Sequence, residues 1–128
     1  MKMEKLRKII ESQNWDFNTE ESSDGSYIFT LFDFGKFGKD LTTEFTLAKY
    51  SVINFLNALD CFIENYDVDY ETYLWLDNMG HGTRGAPYCI RDILEENEEY
   101  LSRLEKLSDC ITYVCDIIKS YICNTILK

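Results

Sequence analysis

Few side chains in this sequence could perform catalysis, and the first candidate is the only histidine, His81. A mechanism in which a histidine activates a serine or cysteine must use this residue, and Cys89 is the nearest thiol along the chain. Glycine flanks His81 on both sides, whereas a nucleophile and its base must be held at hydrogen-bond distance. We therefore expect no catalytic residue, and an enzyme centred on His81 is the least favoured of our interpretations.

The same segment has the glycine spacing of a phosphate-binding loop. Residues 80–85 match G-x-G-x-x-G, a pattern of dinucleotide-binding units. Such a unit needs a second parallel strand after its helix, and the chain beyond Pro87 has no strand pattern. The alternatives are a glycine-rich connection, or a docking site for an anion or a backbone formed by Arg84 and the free amides of the next helix. Without that second strand the sequence predicts no cofactor, and because the five cysteines form no C-x-x-C pair it predicts no metal.

Acidic residues dominate the composition, with 23 Asp and Glu against 13 Lys and Arg and a net charge of −10. Residues 50–83 contain six acids and no Lys or Arg, so this segment should attract a basic partner. Four of these acids follow each other at steps of four, three and four: Asp60, Glu64, Asp67 and Glu71. This spacing places them along one helix edge if the helix continues, or on adjoining surfaces if it bends. The resulting separation of about 5–6 Å is comparable to that of phosphates along a nucleic-acid strand.

A second acidic cluster, residues 92–99, adds to the negative field. Either cluster could be a binding face that mimics nucleic acid or simply a solvated surface. We predict that the acids and the glycine-rich segment together bind a protein partner. The predicted partner-binding residues are Asp60, Glu64, Asp67, Asp69, Glu71, Asp77, His81, Arg84, Glu95, Glu96, Glu98 and Glu99.

Composition also limits the class of protein. The apolar fraction of 45% indicates a folded chain, and 128 residues suit a single domain spanning residues 1–128. The net negative charge argues against direct binding of nucleic acid, which requires Lys and Arg on one face. No apolar run is long enough to span a membrane and no signal peptide is evident, so we expect a cytoplasmic protein with reduced thiols.

Hydrophobic spacing predicts an α+β fold. A helix over residues 2–13 precedes three strand-like runs, at residues 15–20, 26–34 and 41–47, whose short connections predict an antiparallel meander. The middle run is apolar on both faces, which is typical of a central strand. Ser51 is placed to cap a helix whose Phe55, Leu59, Phe62 and Tyr66 should pack on the aromatic residues of the sheet. A short helix opening at Asp67 follows, although residues 72–76 alone could form a strand.

The chain beyond Pro87 contains no Gly or Pro and carries a sustained helical seam. It predicts one long terminal helix, or two with a break near residues 97–102 or at Ser108. Beyond Leu107 the polar stripe is narrow, so this end must be covered by the sheet, by another helix or by a second copy of the protein. A structural or adaptor protein that forms a homodimer through this helix is therefore our second hypothesis.

Residues 67–99 contain four short motifs: Trp75-Leu76-Asp77, Gly80-His81-Gly82, Gly85-Ala86-Pro87-Tyr88 and Asp92-Ile93. With these motifs the segment resembles small acidic proteins of bacterial phages and conjugative elements, most of them uncharacterised. The resemblance covers about a quarter of the chain and has no catalytic motif. Such proteins include inhibitors of CRISPR nucleases and restriction enzymes. The resemblance thus favours our leading hypothesis, a stoichiometric inhibitor that binds a basic, nucleic-acid-handling enzyme, although it assigns no residue a role.

Overall fold

The computed structural model describes residues 1–34, 40–78 and 90–127. Within them an N-terminal helix precedes a three-stranded antiparallel sheet and three further helices, which confirms the predicted α+β fold. The elements are α1 (Met3–Ser12), β1 (Asp16–Glu21), β2 (Tyr27–Phe34), β3 (Asp40–Leu47), α2 (Val52–Glu64), α3 (Val68–Asn78) and α4 (Ile90–Leu127).

The sheet is a meander in the order β1-β2-β3, and β2 is its central strand as predicted. Phe29 on β2 pairs with Thr19 on β1 and with Phe45 on β3. The turn from β1 to β2 contains Gly25 at φ 88°, a conformation that favours glycine because it has no Cβ. In this turn Asp24 accepts a hydrogen bond of 3.0 Å from the amide of Ser26. The turn residues Asp24, Gly25 and Ser26 therefore stabilise the first hairpin.

Helix α2 packs its aromatic face on the sheet. Ser51 caps the helix, since its hydroxyl accepts from the amide of Asn54 at 3.3 Å. The ring of Phe55 lies 4.8 Å from that of Phe29 and 5.5 Å from that of Phe45, both nearly perpendicular. Phe62 lies 6.3 Å from Phe45. The predicted contact between this helix and the aromatic residues of the sheet is confirmed at these positions.

Helix α3 is a separate helix, so the alternative of a strand at residues 72–76 is wrong. Asp67 accepts a hydrogen bond of 3.1 Å from the amide of Tyr70 and so caps α3, the helix predicted to open at this residue. Trp75 and Leu76 of α3 pack on Ile93 of α4 and form a small second cluster of buried side chains. The chain therefore bends between α2 and α3, and α3 is fixed against α4.

Helix α4 is continuous over 38 residues, so neither alternative break occurs. Its length is about 57 Å, and its buried seam of Tyr100, Leu104, Leu107 and Ile111 joins the main core. The described thiols are free. Cys110 and Cys115 are half-buried on this helix, whereas Cys123 is exposed. No helix in the described part of the chain has the length and apolar character needed to cross a membrane.

Candidate acidic–aromatic groove

A groove opens where β3, α2 and α3 meet, and we call it the acidic–aromatic groove. Its volume is about 440 Å³. The three elements converge here because the chain bends after Glu64 and α3 returns beside the end of α2. The residues that line it are Glu44, Phe45, Ala58, Cys61, Phe62, Asn65, Tyr66 and Glu71.

Aromatic rings form one wall of this groove. The ring of Phe62 lies 6.3 Å from Phe45 and 5.7 Å from Tyr66, and Tyr66 lies 6.0 Å from Tyr100 of α4. Phe45 is buried, while Phe62 and Tyr66 are half-buried and so present part of their surface to a ligand. The negative faces of such rings attract cations.

Two carboxylates lie among the lining residues. Glu44 is exposed on β3, where its neighbour Phe45 points into the core because side chains alternate along a strand. Glu71 is half-buried in the first turn of α3. No Lys or Arg is among the described residues that line the groove, so the charged side chains of this lining are all negative.

The negative charge of Glu71 raises the pKa of two nearby tyrosines, Tyr66 and Tyr100. Burial raises the pKa of Tyr66 above its ordinary value, and the nearby charges of Glu71 and the Tyr100 phenolate raise it further. Burial raises the pKa of Tyr100 to about 12, with Glu71 contributing, while a hydrogen bond with Thr43 acts in the opposite direction. Both hydroxyls are therefore neutral near pH 7. The hydroxyl of Tyr66 donates a hydrogen bond, whereas either partner can donate in the bond between Tyr100 and Thr43.

A chain of polar side chains holds this arrangement in place. The hydroxyl of Tyr66 donates to Asn97 Oδ1 at 3.2 Å, and Asn97 Nδ2 donates to Thr72 Oγ1 at 2.9 Å. Thr72 in turn donates to the carbonyl of Val68 at 2.7 Å. Asn97 is completely buried, so these bonds compensate for the loss of its hydration. The chain links the end of α2 to α3 through α4, and thereby sets the position of Glu71.

The four regularly spaced acids do not form one stripe, because α2 ends at Glu64 and the chain turns. Asp60 accepts a hydrogen bond from the hydroxyl of Ser108 on α4. Asp67 is exposed but caps α3, and Glu71 lies in the groove. These acids thus occupy adjoining surfaces, as expected if the chain bends, rather than one helix edge.

The second acidic cluster is also divided. Glu95 and Glu98 are exposed, and so is Glu99, whereas Glu96 is buried. Neither carboxylate oxygen of Glu96 has a hydrogen-bond partner within the part of the chain that the structure describes. The expectation that Glu96 belongs to a solvated or partner-binding face is therefore corrected: its i−3 and i+4 neighbours, Ile93 and Tyr100, are both buried, so Glu96 shares their face.

The other predicted partner-binding residues either do not line the groove or lie outside the residues that the structure describes. Asp69 and Asp77 are exposed on α3. His81 and Arg84, with the whole glycine-rich segment, lie outside the described residues. Sequence reasoning missed Glu44, since its strand is distant from the acidic segment in sequence and only the folded sheet brings it to the groove.

Among the described residues no three or more His, Cys, Asp and Glu side chains are grouped so that they could hold a metal ion. Comparison of the chain with protein-family models, with curated proteins and with solved structures finds no match. The groove and its chemistry are therefore the basis for assigning a function.

Proposed function

We propose that this protein is a non-enzymatic binding module whose acidic–aromatic groove receives a Lys or Arg side chain from a basic protein partner. The observation that carries the proposal is the pairing of carboxylates from two elements, Glu44 and Glu71, with the aromatic rings of Phe62 and Tyr66 in one groove. A cation in such a site gains both charge–charge and cation–π attraction. Each cation–π contact contributes about 0.5–2 kcal/mol, and the gain is larger where water is excluded.

The partner class that best fits this surface is an enzyme that handles nucleic acid. Such enzymes present Lys and Arg in the channel that holds the phosphates, and a chain of net charge −10 is attracted to that channel from a distance. In this proposal the protein acts in the cytoplasm as a stoichiometric inhibitor, of the kind that opposes CRISPR or restriction nucleases. The support for the partner class is the charge and the resemblance of residues 67–99 to proteins of mobile elements.

The experiment is an affinity capture of the tagged protein from a nuclease-treated lysate of its native host, at low and high salt, read by mass spectrometry. We expect recovery of a nucleic-acid-handling enzyme that is released as salt rises, since screening weakens attraction between exposed charges. The enzyme recovered is then assayed for loss of activity at one equivalent of the protein.

Matched variants connect the binding to the groove. Glu44→Lys combined with Glu71→Gln should weaken capture at least about tenfold, which corresponds to about 1.4 kcal/mol. Glu20→Lys combined with Glu21→Gln makes the same change of charge at exposed positions on β1, the opposite edge strand, and should leave capture nearly unchanged. Equal weakening by both variants would mean that only total charge matters, and the groove would then have no specific role.

A further inference from the structure

The polar side chains that line the acidic–aromatic groove leave mainly hydrogen-bond acceptors for a ligand. The hydroxyl of Tyr66 already donates to a side chain of α4 at 3.2 Å. The amide nitrogen of Asn65 donates to the carbonyl of Cys61 at 2.8 Å and lies 3.5 Å from the sulfur of the same residue. These donors are engaged within the fold, whereas the carboxylates of Glu44 and Glu71 only accept. The ligand that suits this lining offers several N–H donors and no acceptor.

The apolar wall beside these acceptors is a surface rather than a cage. The rings of Phe62 and Tyr66 have centroids 5.7 Å apart and planes inclined at 43°, and both side chains are half-buried. Because the two rings pack on each other, no cation can enter between them, and a ligand must lie on their exposed sides. A planar group makes more contact with such a surface than a round one does.

Arginine meets both requirements better than lysine. Its guanidinium group is planar and weakly hydrated, and it carries five N–H donors in a rigid fork that matches a carboxylate. The ammonium group of lysine is a compact and strongly hydrated charge, so its contact with an aromatic ring costs more hydration. The shape and the hydrogen-bonding character of the groove therefore favour a guanidinium ligand.

The protein itself contains arginines in surroundings of this kind. The guanidinium carbon of Arg103 lies 4.2 Å from the centre of the Trp15 ring, and the same group forms an ion pair with Asp33. Arg7 lies over the ring of Phe17 at 5.2 Å. At Arg103 one guanidinium thus contacts a ring and a carboxylate at the same time. The groove offers the same two kinds of contact, and the described residues that line it include no Arg or Lys to use them.

We propose that the groove selects arginine over lysine, with the guanidinium group of a partner arginine lying on the Phe62 ring and its fork directed toward Glu71. This inference rests on the proposed function, because it names the side chain that the groove receives. Phe62 is then the residue that determines specificity, since its ring favours a planar cation, while the carboxylates of Glu44 and Glu71 attract either cation.

Oligo-arginine and oligo-lysine peptides of equal length and charge test this selection at low salt. The dissociation constant of each is measured on the full chain from the ¹H–¹⁵N shifts of the amides of residues 58–66 and 71. The arginine peptide should bind at least about fivefold more tightly, the factor that corresponds to about 1 kcal/mol. In its complex, intermolecular NOEs should join the arginine Hδ protons to the ring protons of Phe62.

A pair of matched variants tests the role of the ring. Phe62→Leu keeps an apolar side chain in the groove but removes the ring, so it should reduce the preference for arginine to within about twofold and leave the affinity for oligo-lysine nearly unchanged. Phe17→Leu removes a half-buried ring of β1 that does not line the groove, and should keep the full preference. Circular dichroism confirms that each variant retains its fold.

The outcomes separate this inference from the proposed function. Equal affinities of the two peptides at the groove, or a preference that survives Phe62→Leu, would overturn the selection while leaving the proposed function intact. Binding of oligo-arginine at the groove without NOEs to Phe62 would do the same, and this test needs no variant. Shifts that lie outside the groove with both peptides would overturn the proposed function and the selection together.

Discussion

Replacement of Asn97 by alanine tests whether the polar chain between Tyr66 and Thr72 fixes the helical half of the protein. The change removes the hydrogen bonds to Tyr66 and Thr72, each with a net contribution of about 1 kcal/mol, and leaves these partner groups less well satisfied. It also removes a completely buried side chain, while the helix propensity of alanine returns about 0.5 kcal/mol. The expected loss in the free energy of unfolding is about 2–3 kcal/mol, a large part of the 5–15 kcal/mol typical of a domain.

Urea unfolding followed by circular dichroism measures this loss, with Asn57→Ala as the matched control. Asn57 is an exposed residue in the interior of α2, so its replacement should stabilise the protein by about 0.5 kcal/mol through helix propensity alone. If the two variants differ by less than about 1 kcal/mol, the polar chain does not hold α3 on α4, and the reasoning that places Glu71 in the groove fails with it.

Two further predictions concern buried ionisable groups. Glu96→Met should raise the free energy of unfolding by about 1–3 kcal/mol, because it removes a buried carboxylate without hydrogen-bond partners among the described residues. The control Glu95→Met, at an exposed neighbouring residue, should change the free energy of unfolding by less than about 0.5 kcal/mol. A Glu96→Met variant less stable than the wild type would contradict the prediction. Stability should also fall as pH rises above about 10, because Tyr66 and Tyr100 keep their protons in the folded protein to a higher pH than in the unfolded chain. Each contributes up to about 1.4 kcal/mol per pH unit above that value, and Tyr100→Phe should reduce the slope measured by urea unfolding between about pH 10 and 12.

The sequence was sufficient to predict the elements whose signals are local. Alternation along the strands, the turn residues around Gly25 and the cap at Ser51 are determined by a few neighbouring residues, and the sheet and α2 agree with them. Residues 72–76 were ambiguous because a short apolar run suits either a strand or a helix. The cap by Asp67 and the packing of Trp75 on α4 decide in favour of the helix.

The candidate site was harder to predict from the sequence than these elements, because it depends on long-range packing. The regular steps between Asp60 and Glu71 allowed either one acidic stripe or adjoining surfaces. The bend after α2 separates these acids, and Glu71 instead lines the same groove as Glu44. The burial of Glu96, in contrast, follows from its helical neighbours and was within reach of the sequence.

The central claim, that the groove receives cationic side chains, is tested most directly by a titration with an oligo-arginine peptide at low salt, followed by ¹H–¹⁵N NMR. The account predicts the largest shifts at the amides of residues 44–45, 58–66 and 71, and their loss in the double variant Glu44→Lys with Glu71→Gln. Shifts concentrated instead at the exposed acids of β1 or at residues 92–99, or spread evenly over the acidic surface, would contradict it.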